Sequence, residues 1–309
     1  MEDVMKYGVH RLTWGKHFDQ NDLKTFFRQV KETGAETVEM RPPDETLQGD
    51  RKKTAEIRKL AEEMGIQLLF CYGYPKGMDM RSSDPFIRQY AVEHLKRAVE
   101  AAYYLGGTEI GGILYSTWPT DYQNDMITPE VKYERTQYSL ECIRKVIPTA
   151  EDYHIQLNME IANRFENYII NTVQEGLDFI RQVESDHCGL LLDVFHMNLE
   201  EDDVLQAIRC AKGHIGQFHV SEPNRQIPYQ NKRINWQEIG RTLREIGYDG
   251  TVTMEAVVAF DDEASYNLRM WRNQIADAGM EARIAAMKAG LIFLKQQFEP
   301  SEFLEKARA

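Results

Sequence analysis

The sequence predicts an α/β chain folded as a single closed (β/α)8 barrel over residues 1–309, with an additional C-terminal helix. Three observations carry that expectation. Eight apolar, strand-like runs alternate with amphipathic stretches, no Pro-, Ser- or Gly-rich linker interrupts them, and no glycine-rich turn follows the first run. A barrel of this kind takes roughly 250 residues, so a chain of 309 leaves room for longer loops and the last helix. An open doubly wound sheet would instead want glycines after its first strand, and "HRLTWGKHF" does not supply them.

The eight runs occupy residues 7–14, 36–41, 66–74 and 109–116, then 156–163, 188–196, 214–221 and 250–257. Between them the period changes to that of a helix. Residues 84–107 open with a capping Asp84 and with Pro85 at the first helical position, and they end on glycine. Residues 171–183 and 235–250 read in the same way. No internal repeat or low-complexity segment is visible.

Composition narrows the class of function. With 42% hydrophobic residues the chain can bury a sizeable core, and a net charge of −12 argues against a nucleic-acid partner. The sequence shows neither a secretory leader nor an apolar run long enough for a bilayer, so no membrane partner and a cytoplasmic location are expected. The four cysteines are scattered without a CxxC pair, a pattern of reduced thiols.

In a barrel, functional groups sit where strands end at the top. "LLLDVFH" runs three leucines into Asp193, and neighbouring runs finish in the same way: "NMEIAN" at Glu160, "GQFHVSE" at His219 and "TVTMEAV" at Glu255. A lone carboxylate at a strand end is commonly a helix cap or a surface group. Four consecutive strands that each end on a ligand type point instead to a divalent cation, which relieves the repulsion among three gathered carboxylates. Oxygen donors with one imidazole suit Mn²⁺, Co²⁺ or Mg²⁺ better than a thiolate-seeking ion. Glu160 and Glu255 come from strands three apart, so they can face each other across a substrate. One can remove a proton beside a metal-held carbonyl while the other returns one to the opposite face, which inverts the carbon without an organic cofactor.

The segments "NRFENYIINTVQEGLDFI", "LLLDVFHMNLEED" and "REIGYDGTVTMEAV" resemble the ketose 3-epimerase family, the D-allulose and D-tagatose 3-epimerases. The likeness runs over most of the chain and is closest across residues 157–257. It implies a TIM barrel that holds Mn²⁺ or Co²⁺ and inverts ketohexoses at C3. By that resemblance the metal ligands fall on Glu160, Asp193, His219 and Glu255, with Glu160 and Glu255 also the acid/base pair. Its substrate-holding residues fall on Glu166 in "NRFE", His196 in "FHMN" and Arg225 in "EPNR", and Trp118 in "YSTWP" matches an aromatic beside the sugar.

The chain also departs from the family pattern. His10 stands where an aromatic is usual, "IPYQNKR" replaces a loop written "PGKG", "MEAV" replaces "MEPF", and "CYGYPKGMDM" differs from the usual third loop. These changes suggest a mouth enlarged around Tyr74, Ile227 and Tyr229. They leave room for an alternative: the barrel subunit of a C-glycoside deglycosidase, which cleaves a 3-oxo-C-glycoside by elimination, with His10 as an added acid or base. The expected partner is a small-molecule sugar or glycoside. A homo-oligomer is the expected assembly, joined in the alternative by a small β-rich second subunit. A non-catalytic sugar-binding barrel fits the intact ligand set poorly, and a barrel nuclease would need a basic surface and extra histidine ligands.

Overall fold

The computed structural model describes residues 5–74, 77–120, 126–229 and 233–299. Eight parallel strands close into one barrel in chain order: β1 (Lys6–His10), β2 (Thr37–Met40), β3 (Gln67–Cys71), β4 (Glu109–Gly112), β5 (Gln156–Glu160), β6 (Cys188–Asp193), β7 (Ile215–Val220) and β8 (Thr251–Met254). The covering helices are α1 (Leu23–Thr33), α2 (Asp44–Leu47), α3 (Arg51–Glu63), α4 (Pro85–Tyr104), α5 (Pro129–Asp152) and α6 (Val173–Val183). They continue with α7 (Val194–Glu200), α8 (Val204–Cys210), α9 (Trp236–Ile246), α10 (Glu263–Asn267) and α11 (Met280–Phe298). The expected C-terminal helix is α11, which packs against α1, α9 and β1.

Local chemistry sets the helix starts. Asp84 accepts the Phe86 N–H at the head of α4, Thr172 accepts the Glu175 N–H at α6, and Asn235 accepts the Glu238 N–H at α9. Each such cap is worth about 1 kcal/mol.

Every strand is shorter than its apolar run. Residues 11–14, read as the end of the first strand, lie in a 3-10 turn spanning Arg11–His17. The run stays apolar there because Trp14 is fully buried, not because the ladder continues.

Strand side chains alternate between two environments, as a pleated strand requires. Val9, Val38, Phe70, Leu157, Phe218 and Met254 join the main apolar core. Their alternates turn to the barrel interior and are largely polar: His10, Glu39, Asn158, Glu160, Asp193, Gln217 and His219. Two glycines make the space. A Cβ on Gly111 would lie 2.0 Å from the Gln217 Oε1 atom. The register shift between β6 and β7 leaves Gly216 unpaired, where a Cβ would lie 2.1 Å from Asn158 Oδ1.

The loops at the C-terminal end of the barrel are tied down. Thr13 Oγ1 donates to the Ala256 carbonyl at 2.8 Å, and the wholly buried Arg283 of α11 donates to the Thr13 carbonyl at 2.9 Å while pairing with Asp261. Two of the three residues expected around an enlarged mouth do not line it. Tyr74 and Ile227 are fully buried in the apolar core, and Ile227 packs on Gly290 of α11. Pro75 and Lys76 of the third loop, and residues 230–232 of the seventh, lie outside the described residues.

One interior group should make stability depend on pH. Glu109, at the start of β4, accepts a hydrogen bond from Asn158 Nδ2 at 2.9 Å. Burial, with Glu39 nearby, pushes its carboxyl up to about 7 from an ordinary 4.5. The folded state therefore holds a proton that the unfolded chain has lost, and this contribution to stability falls as pH rises from about 4.5 through 7. The full effect is on the order of 3 kcal/mol, reduced by partial solvent access. Glu109→Gln should lose less melting temperature than wild type between pH 5 and pH 8; parallel curves would exclude Glu109 as the source.

Candidate metal centre

Four consecutive strands deliver the groups that the sequence singled out. β5 ends on Glu160 and β6 on Asp193, His219 lies one residue before the end of β7, and Glu255 follows β8. Parallel register sets Asp193 beside His219 across the β6–β7 pair. One donor atom from each of Glu160, Asp193, His219 and Glu255 lies within 4.8 Å of the others. The set holds three carboxylates and one imidazole in a buried hollow, which suits a hard or borderline divalent cation.

Asp193 serves two purposes at once. Its Oδ1 accepts the Phe195 N–H at 2.9 Å and caps α7, while Oδ2 accepts from Arg225 Nη1 at 2.6 Å. The helix-cap and metal-site readings of this carboxylate are therefore compatible, with one oxygen for each.

Arg225 is the positive charge that holds the cluster together. Its Nη1 also donates to Glu255 Oε2 at 2.9 Å, and its guanidinium lies 3.8 Å from the Phe195 ring centre. Burial alone would push the Glu255 carboxyl up, but Arg225 and the His219 hydrogen bond hold it well below the usual carboxylate range. Glu160 goes the other way: burial raises it, with the His196 hydrogen bond only partly offsetting that. The Arg225 backbone sits at φ 60°, in the left-handed region. Three backbone hydrogen bonds hold the turn: Arg225 N to Glu222 O, Glu222 N to Gln226 O, and Val257 N to Arg225 O.

His219 is gripped from both sides. Nε2 lies 2.9 Å from Glu39 Oε2 and Nδ1 lies 3.3 Å from Glu255 Oε2. Burial would lower its pKa, but the two carboxylates raise it well above the ordinary value. Loss of the Nδ1 proton would free that atom for a cation, while Glu39 keeps the ring oriented. Glu39 was not singled out in the sequence. Its signal there is slight, a carboxylate inside the apolar strand "TVEM".

The expected substrate contacts surround this cluster. The Asn163 N–H donates to His196 Nδ1 at 3.1 Å, which leaves Nε2 to face Glu160 Oε1 at 3.3 Å. Trp118 Nε1 donates to Glu166 Oε2 at 2.8 Å. His10 Nδ1 accepts the Leu12 N–H at 3.2 Å, and its Nε2 lies 2.9 Å from Cys71 Sγ. One pocket is lined by His10, Trp118, Glu160, Glu166, His219, Arg225 and Glu255. Cys71, Arg11, Arg41 and Leu268 line it too and were not anticipated as site residues. His196 is buried behind the lining, and Arg225, expected on the sugar, lies here on two of the four carboxylate and imidazole donors.

Fold and site together define a barrel with a candidate cation centre at its C-terminal end. The profile of the family described as "Xylose isomerase-like TIM barrel" matches residues 27–281, and the chain belongs to that family. Within it the chain groups with the ketose 3-epimerases. It is 36% identical over 269 residues to a D-psicose 3-epimerase of Ruminiclostridium cellulolyticum, covering 87% of this chain and 89% of that one. A D-psicose 3-epimerase of Enterocloster bolteae is 32% identical, covering 95% of this chain and 96% of the relative. The crystal structure of D-psicose 3-epimerase with D-tagatose from Clostridium cellulolyticum H10 superposes with a TM-score of 0.89 at 33% identity, over 96% of this chain and all of the other.

Glu39→Gln should weaken divalent-metal binding by about 10–100-fold while leaving the four donors in place. Metal titration followed by calorimetry measures this, and unchanged affinity would show that Glu39 does not orient His219.

Proposed function

We propose that this protein is a divalent-metal-dependent ketose 3-epimerase in which Glu160, Asp193, His219 and Glu255 hold the cation and Glu160 and Glu255 move the protons. The observation that supports this most directly is the convergence of those four donors within 4.8 Å at one end of the barrel. When bound, the cation supplies Lewis acidity to the oxygens of the ketose and so lowers the energy of an enediolate. The donor set favours Mn²⁺, with Co²⁺ or Mg²⁺ as alternatives.

The remaining steps belong to the chain. Glu160 and Glu255 come from β5 and β8 with two strands between them, so each reaches C3 of the sugar from its own side. One carboxylate takes the C3 proton and the other returns a proton to the opposite face, with the roles set by the epimer that binds. His196 Nε2, 3.3 Å from Glu160, steadies that carboxylate, and the Trp118–Glu166 pair offers an oxygen and an apolar ring to a hydroxyl-rich ligand. Arg225, which lines the pocket beside Asp193 and Glu255, would donate to a substrate oxygen if a cation took over part of the charge it balances there. The relatives support epimerisation rather than elimination from a glycoside. Exposed Phe86, Tyr90 and Tyr133 on α4 and α5 support self-association, which sedimentation can test.

Incubation with free ketoses in D₂O should place deuterium at C3 and yield the C3 epimer, as read by NMR; a silent C3 across a ketose panel would remove the assignment. Chelation should abolish this exchange and lower the melting temperature, and re-addition of Mn²⁺ should restore both. Full exchange by protein shown metal-free by elemental analysis would exclude a role for the cation. Glu160→Gln and Glu255→Gln should each reduce turnover by a factor on the order of 10² or more. Near-normal turnover in either variant would take that residue out of the acid/base pair.

A further inference from the structure

The pocket above the metal centre has two chemically different walls. On the β5–β8 side it is lined by Glu160, Glu166 and Glu255. On the β1–β2 side Arg11 and Arg41 line it, and the same two arginines line an adjoining surface cleft with Phe18, Gln20 and Pro42. The two openings are thus joined by a basic rim.

The arginines differ in one respect. Arg41 is already neutralised, with Nη1 2.7 Å from Asp44 Oδ1. Arg11 makes no ion pair and no side-chain hydrogen bond among the described residues, and its guanidinium lies 5.4 Å from the Phe18 ring centre. A cation–π contact of this kind uses none of the guanidinium N–H groups as hydrogen-bond donors to an acid, and those groups match a phosphate or carboxylate in a two-pronged contact. Asp19 also lines the outer cleft, where its Oδ1 accepts from Asn21 N at 2.8 Å and Asn21 Nδ2 at 3.0 Å and makes no ion pair with Arg11. In a chain of net charge −12, an arginine without an acidic partner at the rim of the site is an unused cation.

We infer that Arg11 forms an anion subsite, and that the substrate is a ketose carrying a phosphate or carboxylate at the end remote from its carbonyl. This rests on the epimerase reading for the sugar and on Arg11 for the charge. Such an anion would reach the basic rim while the carbonyl end stays over the metal centre.

Calorimetric titration of the metal-loaded full chain with D-fructose, D-fructose 6-phosphate, D-fructuronate and D-fructose 1-phosphate tests it. At least one of the two ketoses with an anion at C6 should bind about tenfold or more tightly than fructose, and added salt should erode the gain. Whichever of the two shows the gain identifies the anion. Arg11→Gln should bring the affinity ratio near one, and Arg11→Lys should keep part of it. Equal affinity for fructose and both C6 anions, a ratio unchanged in Arg11→Gln, or the same gain with the 1-phosphate would each overturn the subsite. Deuterium uptake at C3 in the same samples reports separately on the chemistry. An anion preference without uptake removes the epimerase reading and leaves the Arg11 subsite standing, whereas uptake from fructose without any preference removes the subsite alone.

Discussion

Like charge gathered at one end of the barrel is the constraint that organises this molecule. At about 4 Å, in surroundings of effective dielectric near 20, one pair of unit charges repels by about 4 kcal/mol. That exceeds what a helix cap contributes. The cluster of Glu160, Asp193 and Glu255 therefore needs counter-charge. The chain brings it in the form of Arg225 and His219, both buried and both bonded to those carboxylates. Much of the surrounding structure keeps these two in place: Phe195 beneath the guanidinium, Glu39 behind the imidazole, and a left-handed turn at Arg225 fixed by backbone hydrogen bonds.

Rigid placement follows from where the groups are mounted. Glu160 and Asp193 are the last residues of their strands and His219 is within its strand, so the barrel ladder fixes their Cα positions. Glu255 gains a further anchor, since its N–H donates to the Val220 carbonyl at 3.1 Å. The turn after β1 is held to the loop after β8 through Thr13, Ala256 and Arg283. Polar groups aimed at a reacting centre act best when they need not reorganise, and strand ends clamped in this way meet that condition.

The barrel was legible because alternation and strand-to-helix rhythm are local properties of a sequence. The four strand-end groups that converge were legible for the same reason, since each closes its own apolar run. Other features arise only when the barrel closes. Glu39 and His219 are 180 positions apart, and no local pattern announces that they will meet. Cys71 and Arg11 enter the pocket because β1 and β3 curve into the same ring. The misjudged loop residues have a related cause. Tyr74 and Ile227 lie in segments that differ from the family pattern, but polarity and position alone do not say whether such a residue faces the mouth or the helix layer. Packing decided that, and both went into the core.

Asp193 gives one oxygen to the α7 cap and leaves the other in the charged cluster. An asparagine there would still present an oxygen to the Phe195 N–H, and asparagine caps helices about as well as aspartate. It would also remove one negative charge from a crowded cluster, and with it one of the two carboxylates paired with Arg225. A single exchange would thus take one carboxylate from the candidate cation cluster and from the Arg225 pair while keeping the helix cap. Persistence of the scaffold is then uncoupled from persistence of its chemistry, so a descendant with a well-formed barrel need not be an enzyme.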